Sequence, residues 1–197
     1  VHISGCFSRD DHDPLNFSFH IEHEILIQSD EGKFQSGADL HGAPKMFIGA
    51  ASNPFADPFE WRVHRLAKKV NAGCDFIQTQ CIYNMEKFRE FIKQANDMGL
   101  TEKTYILAGV TPMKSVGMAK YMKNKVPGMD VPDEIIKRLQ GAGKGKVADE
   151  GIKFACEQVE EFKEMKGVHG VHMMAIEWEH KVPEIAERAK VLPRPEV

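Results

Sequence analysis

From residue 43 onward, the chain alternates short apolar runs with amphipathic helical patterns. The apolar runs are KMFIGA (45–50), DFIQTQ (75–80), TYILAGV (104–110) and GVHMMAI (170–176), and VHIS (1–4) is counted as a fifth strand. Between them, apolar residues recur at helical spacing, as in segments 59–73, 85–99 and 148–167. Because parallel strands need long crossover connections, this alternation predicts a parallel sheet with crossover helices.

A parallel sheet of this kind is either open and doubly wound or closed into a barrel. No G-x-G-x-x-G motif follows any of the apolar runs, which weakens the open, dinucleotide-binding alternative. In a barrel, functional groups stand at the carboxyl ends of the strands and in the loops that follow them. Candidate site residues are therefore sought at those ends.

Two glutamines interrupt the apolar run DFIQTQ. Alternate residues of a strand share a face, so Phe76, Gln78 and Gln80 point one way, and Ile77 and Thr79 point the other way. Gln80 is the last of the run, at the end where a barrel mouth would lie. A side-chain amide both donates and accepts hydrogen bonds, which suits a heterocycle with mixed edges such as a pterin or a flavin.

Composition indicates one soluble, globular domain over residues 1–197. The formal net charge is −3, which gives no reason to expect nucleic acid or an anionic membrane surface as a partner. The four cysteines are scattered, which favours reduced thiols in a cytoplasmic protein. No apolar run approaches the roughly 18 residues of a membrane span. No secretory signal is visible, although the chain begins at Val1.

Histidines and carboxylates cluster near the start of the chain. The cluster comprises Asp10, Asp11, His12, Asp13, His20, His23 and Glu24. These are metal-ligand types, but no recognised ligand spacing is complete, so a solvated loop and helix is the preferred interpretation and no metal is expected. His169 and His172 flank the last strand and are interpreted as structural histidines.

Two motifs resemble one known family. The residues that carry the likeness are Ala72, Gly73, Asp75, Thr79 and Gln80 in and before the glutamine strand, and Gly109, Val110 and Pro112 in the turn after the next strand. In this setting the chain resembles the methylenetetrahydrofolate reductases, flavin-dependent (β/α)8 barrels, from about Ala43 to Glu187. The resemblance implies a TIM barrel of which this chain covers roughly strands 4–8, without the first βα units.

The family's activity supplies a set of implied roles. The resemblance implies hydride transfer from NAD(P)H through a bound flavin, FAD or FMN, to methylenetetrahydrofolate, giving methyltetrahydrofolate. It implies that Gln80 binds the pterin close to the reacting centre. It also implies that Lys68, Lys69 and Arg65 hold the flavin phosphates, which charged nitrogen donors suit. Asn53 falls in the loop that lines the flavin.

Several positions depart from the family's pattern. Cys6 stands where the family has an aspartate that approaches the flavin ring. Met122 replaces an aromatic residue that stacks on ligands, and Trp178 replaces an arginine that binds the folate tail. The glutamate that serves the family as general acid would precede Val1. We therefore expect the missing βα units, and the acid with them, to come from outside these 197 residues.

Two alternatives stay open from the sequence. One is a flavin-free barrel that binds a pterin and hands a methyl group to a corrinoid protein. The other is a noncatalytic subunit that assembles with redox partners. The sequence also leaves open FAD against FMN, the electron donor, and whether the protein forms a homo-oligomer.

Overall fold

The computed structural model describes residues 31–34, 36–43 and 45–192. The strand predicted at VHIS, the polar cluster between Asp10 and Glu24, and Cys6 lie outside the described residues.

The described chain forms one parallel sheet of four strands. They are β1 (Gly49–Ser52), β2 (Phe76–Cys81), β3 (Tyr105–Val110) and β4 (Gly170–Met173). Their order in space is their order in the chain, and every neighbouring pair is parallel. A doubly wound dinucleotide sheet reverses its strand order at a switch point, whereas a barrel wall does not. The predicted parallel α/β sheet is confirmed, and closure into a full barrel stays a prediction.

The helices follow the periodic segments closely. They are α1 (Arg62–Asn71), α2 (Met85–Asp97), α3 (Val116–Lys125), α4 (Asp133–Gly141), α5 (Val147–Glu164) and α6 (Val182–Arg188), with 3-10 turns at Phe59–Trp61 and Glu179–Lys181. Asn84 caps α2 by accepting a hydrogen bond from Lys87 N, and Ser115 caps α3 in the same way. Among the described residues, no helix is long and apolar enough to cross a bilayer.

The two faces of the sheet differ in burial. On one face, Ile77 and Ile106 are completely buried within an apolar cluster that includes residues from α1, α2 and α5. On the other face, Phe76, Gln78 and Gln80 are only half-buried. The alternation expected from the sequence therefore holds, and the glutamines stand on the more open face of the sheet.

Aromatic side chains occupy the amino-terminal end of the open face. Phe47 stacks on Phe76 with ring centroids 5.4 Å apart, and it also contacts Tyr105. Phe47 and Tyr105 are more than half exposed. The carboxyl end of the same face carries polar side chains instead, so the face has an apolar end and a polar end.

A second apolar cluster lies under α3 and α4. Tyr83, Met113, Met122 and Leu139 are among its buried members. Helix α5 approaches this region so closely that a Cβ on Gly151 would overlap the carbonyl oxygen of Met113. The absence of a side chain at Gly151 therefore sets how near α5 lies to the loop after β3.

We expect Gly151→Ala to lower the free energy of unfolding by about 1–3 kcal/mol, since the added methyl group meets backbone that cannot rotate away. Gly141→Ala is the matched control, because it is also a helical glycine and its Cβ would meet nothing within 4 Å. The control should leave stability unchanged or raise it by up to about 1 kcal/mol. Urea unfolding followed by circular dichroism measures both, and equal effects would contradict the close approach.

The pH dependence of stability should carry a contribution from His169. Its Nδ1 accepts a hydrogen bond from Ile106 N at 3.1 Å, and its ring packs edge-on against Tyr105. Partial burial lowers the pKa of His169 below its usual 6.5. Between the two pKa values the unfolded chain binds more protons, so the free energy of unfolding falls as the pH drops below about 6.5 and levels off under the folded pKa.

His169→Asn, which keeps an acceptor without a titrating ring, should flatten that decline. Urea unfolding at a series of pH values from 7.5 to 5 measures it against the wild type. The control is His180→Asn, at a histidine whose ring accepts no hydrogen bond from the backbone of the described residues. An unchanged pH slope in His169→Asn would show that the histidine contributes nothing.

Candidate functional site

A β-bulge interrupts the β2–β3 ladder near the end of strand β2. Gln78 pairs with Leu107, but the next pair is Cys81 with Gly109, so β2 has one extra residue. The Thr79 hydroxyl fills the gap in the ladder: it accepts from Gly109 N at 2.8 Å and donates to Gln80 O at 3.0 Å. Such bulges redirect side chains next to functional sites. Here the bulge falls at Thr79 and Gln80, and Gln80 stays half-buried like Gln78.

Gly109 is a requirement of this bulge. A Cβ at Gly109 would lie 2.6 Å from Thr79 O and 2.7 Å from Gln80 O, closer than real side chains come. The Gly109 carbonyl also accepts from Ile82 N, just beyond the bulge. The G-V-x-P turn that the sequence singled out thus begins at the residue that lets β2 and β3 approach.

Gln80 has one end of its amide engaged. Its Oε1 accepts from Cys81 N at 3.0 Å. Its Nε2 makes no hydrogen bond to any of the described residues. The half-buried Gln80 therefore presents an amide donor at the carboxyl end of β2, and its predicted role in ligand binding stays a prediction.

Gln78 meets a histidine from the last strand. Its Nε2 lies 3.4 Å from Nδ1 of His172. His172 is level with Gly109 of β3, and Gly109 is level with Cys81 of β2, so the glutamine side chain reaches diagonally across β3. Burial lowers the pKa of His172, which keeps the ring neutral at pH 7.

The sequence interpretation gave His172 a structural role and missed this pair. The available signal was strand alternation, which places Gly170 and His172 on one face of β4. Alternation along β4 does not show that this face lies near Gln78. That follows only from the register of β2, β3 and β4 in the sheet.

The segment after β2 is held in place by contacts with α5 and with the loop after β3. Gln158 of α5 is buried, and its Nε2 donates to the carbonyl oxygen of Ile82. Tyr83 donates its hydroxyl to Thr111 O at 3.2 Å. These contacts hold the two residues that follow the Gln80–Cys81 step, so the end of β2 is rigidly placed against α5 and the loop after β3.

A basic cleft of about 400 Å³ lies at the start of α1, after β1. Its lining residues are Asp57, Pro58, Trp61, Arg62, His64, Arg65 and Lys68. Arg62 is buried and donates to the Asp57 carbonyl at 2.8 Å, which shapes the loop. The indole of Trp61 is 60% exposed and offers a flat apolar surface beside the charges. Cationic groups next to an aromatic face can bind a phosphate-bearing ligand with a planar ring.

The two adjacent lysines of α1 have different surroundings. Lys68 lines the cleft with Arg65, whereas Lys69 donates to the carbonyl oxygen of Ala51. The Ile48 carbonyl accepts from β2, so the Ala51 carbonyl, three residues along the strand, points to the other edge of β1. Lys69 therefore caps that edge, and its contact with flavin phosphate stays a prediction.

Asn53 uses both ends of its amide within the protein. Nδ2 donates to Gly128 O at 3.2 Å, and Oδ1 accepts from Phe55 N at 2.9 Å. Gly128 has φ of +73°, and a Cβ there would overlap the Asn53 amide. Asn53 thus joins the loop after β1 to the loop between α3 and α4, and its predicted flavin contact is untested.

The two remaining predicted ligand residues belong to different elements, and neither contact with a ligand is tested. Met122 is 5% exposed, and its sulfur lies 3.1 Å from the Tyr83 hydroxyl, whose one proton is shared between this sulfur and Thr111 O. A ligand could reach Met122 only if that contact opened. Trp178 is half-buried just before the 3-10 turn that follows β4. Nearby, Lys114 donates to Ile176 O and pairs with Glu177 at 3.5 Å.

Neither metal nor thiol chemistry has a prepared site in the described part of the chain. It contains no cluster of three or more His, Cys, Asp or Glu side chains that could hold a metal ion. Burial raises the pKa of Cys74 to about 12 and also raises the pKa of Cys81. Both thiols stay protonated at neutral pH and are poor nucleophiles.

Comparison with known proteins gives a consistent family. The family model described as methylenetetrahydrofolate reductase matches residues 28–190. Methylenetetrahydrofolate reductase 2 of Schizosaccharomyces pombe is 30% identical over 137 residues, which are 64% of this chain and 21% of that protein. A probable methylenetetrahydrofolate reductase (NADPH) of Caenorhabditis elegans is 26% identical over 97 residues, 47% of this chain and 14% of that protein. The chain thus spans only a small part of these relatives' length.

A solved structure shares the fold. It is an uncharacterized protein from Clostridium thermocellum that binds two copies of 5-methyl-5,6,7,8-tetrahydrofolic acid. It superposes with a TM-score of 0.52 at 19% identity and covers 74% of this chain and 53% of its own. The fold agrees with the sequence match, and the family model covers most of the chain. The chain belongs to the methylenetetrahydrofolate reductase family.

Proposed function

We propose that this chain binds a reduced folate at the carboxyl end of the open sheet face and takes part in the flavin-dependent reduction of 5,10-methylenetetrahydrofolate to 5-methyltetrahydrofolate, with NAD(P)H as electron donor. The observation that carries the proposal is the placement of Gln80. Its free amide donor lies on a bulged strand end, at the position where the family's glutamine meets the pterin. The folate bound by the Clostridium thermocellum protein supports the same substrate class.

The open face can receive a flat ring. Gly109 brings β3 close against the Thr79 and Gln80 carbonyls and adds no side chain of its own to this part of the open face. The donor on Gln80 and the unbonded Oε1 of Gln78 stand two residues apart on one strand, roughly 7 Å along it. Together they offer a donor and an acceptor to the edge of a pterin. Such hydrogen bonds orient the one-carbon unit without taking part in bond making.

The basic cleft fits the phosphate end of a flavin. Arg65 and Lys68 supply the charge, and Asp57 is the only carboxylate among the lining residues. Trp61 supplies an exposed ring on the same cleft. A flavin held there would supply the hydride-carrying ring, while the protein supplies position and polarity. Arg65 and Lys68 bind phosphate oxygens as charged donors, and this binding fixes one end of the cofactor.

The proton donor for opening the methylene bridge comes, in this proposal, from outside the described residues. Among the described strand residues of the open face, the polar groups are glutamine, histidine and the Tyr105 phenol at the far end, with no carboxylate. Burial lowers the pKa of His172, which makes its imidazolium a scarce acid at pH 7. The described chain therefore orients the substrate, and the acid belongs to the family's first strand.

Replacing Gln80 with leucine should weaken folate binding. We expect the dissociation constant for 5-methyltetrahydrofolate to rise roughly 3- to 10-fold, the effect of one lost hydrogen bond. Isothermal titration calorimetry measures it. Gln140→Leu, at an exposed glutamine of α4, is the matched control and should bind like the wild type. Equal affinity of Gln80→Leu and wild type would remove Gln80 from the site.

The purified protein should show the visible absorbance of oxidised flavin, alone or after incubation with FAD or FMN. The double variant Arg65→Ala, Lys68→Ala should lose flavin affinity by about 10-fold or more, because two charge-assisted hydrogen bonds are removed. Lys120→Ala, at an exposed lysine of α3, serves as control.

Reduced nicotinamide should bleach the flavin spectrum, and methylenetetrahydrofolate should restore it. A folded protein that binds folate but stays colourless would contradict the flavin and favour flavin-free methyl transfer.

A further inference from the structure

The contact between Gln78 and His172 has no role in the function described so far. Both side chains stand on the open face, and their contact joins strands separated by 94 residues in sequence. On β3, Gly109 is level with His172 and carries no side chain that could come between the two residues. The amino-terminal end of this face is apolar, whereas the Gln78–His172 pair is polar. Such a pair either binds a ligand or stabilises the sheet.

We propose that Gln78 is a positioning residue that holds His172 as its Nε2–H tautomer, and that this N–H is a second hydrogen-bond donor for the heterocycle bound beside Gln80. The inference rests on the proposed folate site for its ligand. The tautomer itself is a property of the free protein.

In this structure the amide nitrogen of Gln78 faces Nδ1 of His172, and this orientation favours one tautomer of the ring. The amide nitrogen of Gln78 can only donate, so Nδ1 of His172 must accept and carries no proton. A neutral imidazole has a single N–H, which then sits on Nε2. Burial of His172 lowers its pKa and supports the neutral form at pH 7.

The same contact aims the donor. Nδ1 lies beside Cβ and faces Gln78, while Nε2 lies at the far tip of the ring, away from the strand. His172 stands level with Cys81, one residue from Gln80, with β3 between them. The backbones of β2 and β4 are two strand spacings apart, about 10 Å. The side chains of Gln80 and His172 can therefore contact one bicyclic ring from opposite sides.

This arrangement gives the site a directional pattern. The Gln80 amide and the His172 ring donate, and Oε1 of Gln78, which bonds to none of the described residues, accepts between them. A heterocycle whose edge offers ring nitrogens or carbonyl oxygens to both donors is favoured. An analogue that lacks one of those acceptors leaves a half-buried donor unpaired, which costs affinity.

The first test reads the tautomer directly by long-range proton–nitrogen NMR of the purified chain, with His172→Gln identifying the ring signals. We expect Nδ1 to resonate as an unprotonated nitrogen and Nε2 as a protonated one. Gln78→Glu keeps the size but offers only acceptors, so Nδ1 should become protonated. Gln78→Leu removes the donor and should give a mixture of tautomers. Gln140→Leu is the control and should leave the ring signals unchanged.

A protonated Nδ1 in the wild type, or the same single tautomer in Gln78→Leu, would overturn the positioning role.

The second test adds 5-methyltetrahydrofolate and follows the same signals. Binding that shifts the His172 Nε2 signal, with 3- to 10-fold weaker affinity in Gln78→Leu, supports the inference. Binding that leaves Nε2 unmoved overturns the ligand contact but keeps the proposed function. No folate binding at any concentration reached overturns the proposed function, and the ligand contact with it, while the tautomer result stands separately.

Discussion

The hydrogen bonds of one threonine hydroxyl organise the site. Thr79 bridges Gly109 N and Gln80 O and so stabilises the extra residue in β2. Without the bulge, β2 would continue as regular strand. Because side-chain direction alternates with every residue, an extra residue changes where everything beyond it points. The register of Gln80 against β3, and the position of the loop that Gln158 contacts, both follow from this local break in the ladder.

The two faces of the sheet have different roles: one packs into the apolar core, and the other carries the candidate site. The face under α1, α2 and α5 is a close-packed apolar core, which fixes the strand order and register. The open face carries Phe47 and Tyr105 at the amino ends of the strands and the glutamines at the carboxyl ends. In a barrel this face would be the interior, with a packed lower layer and a polar mouth. That division explains why the polar strand residues are tolerated: they stand outside the apolar core, where the proposed folate would be their neighbour.

The loops at the carboxyl edge are held together by side-chain amides. Asn53 reaches Gly128, and Asn84 donates to Asp130, which also pairs with Lys87 at 2.7 Å. The segment between α3 and α4 is therefore fastened to the loops after β1 and β2. An amide that satisfies backbone and carboxylate partners in this way fixes loop positions at small cost, because it carries no charge to desolvate. The basic cleft and the Gln80 site share the edge that these loops shape.

The sequence alone determined the local structure and the faces. Helical and strand periodicity are short-range properties, so the elements and the side on which Gln78 and Gln80 stand followed from spacing, and the family followed from two local motifs. Tertiary structure decided every relation between distant segments. Lys68 and Lys69 are indistinguishable as letters, yet helix packing puts one in a cleft and the other on a strand carbonyl. The bulge joins residues 30 positions apart, and the Gln78–His172 contact joins residues 94 positions apart. Such contacts depend on sheet register and on a glycine opposite, which no periodic pattern encodes, because register is set by packing of the whole sheet.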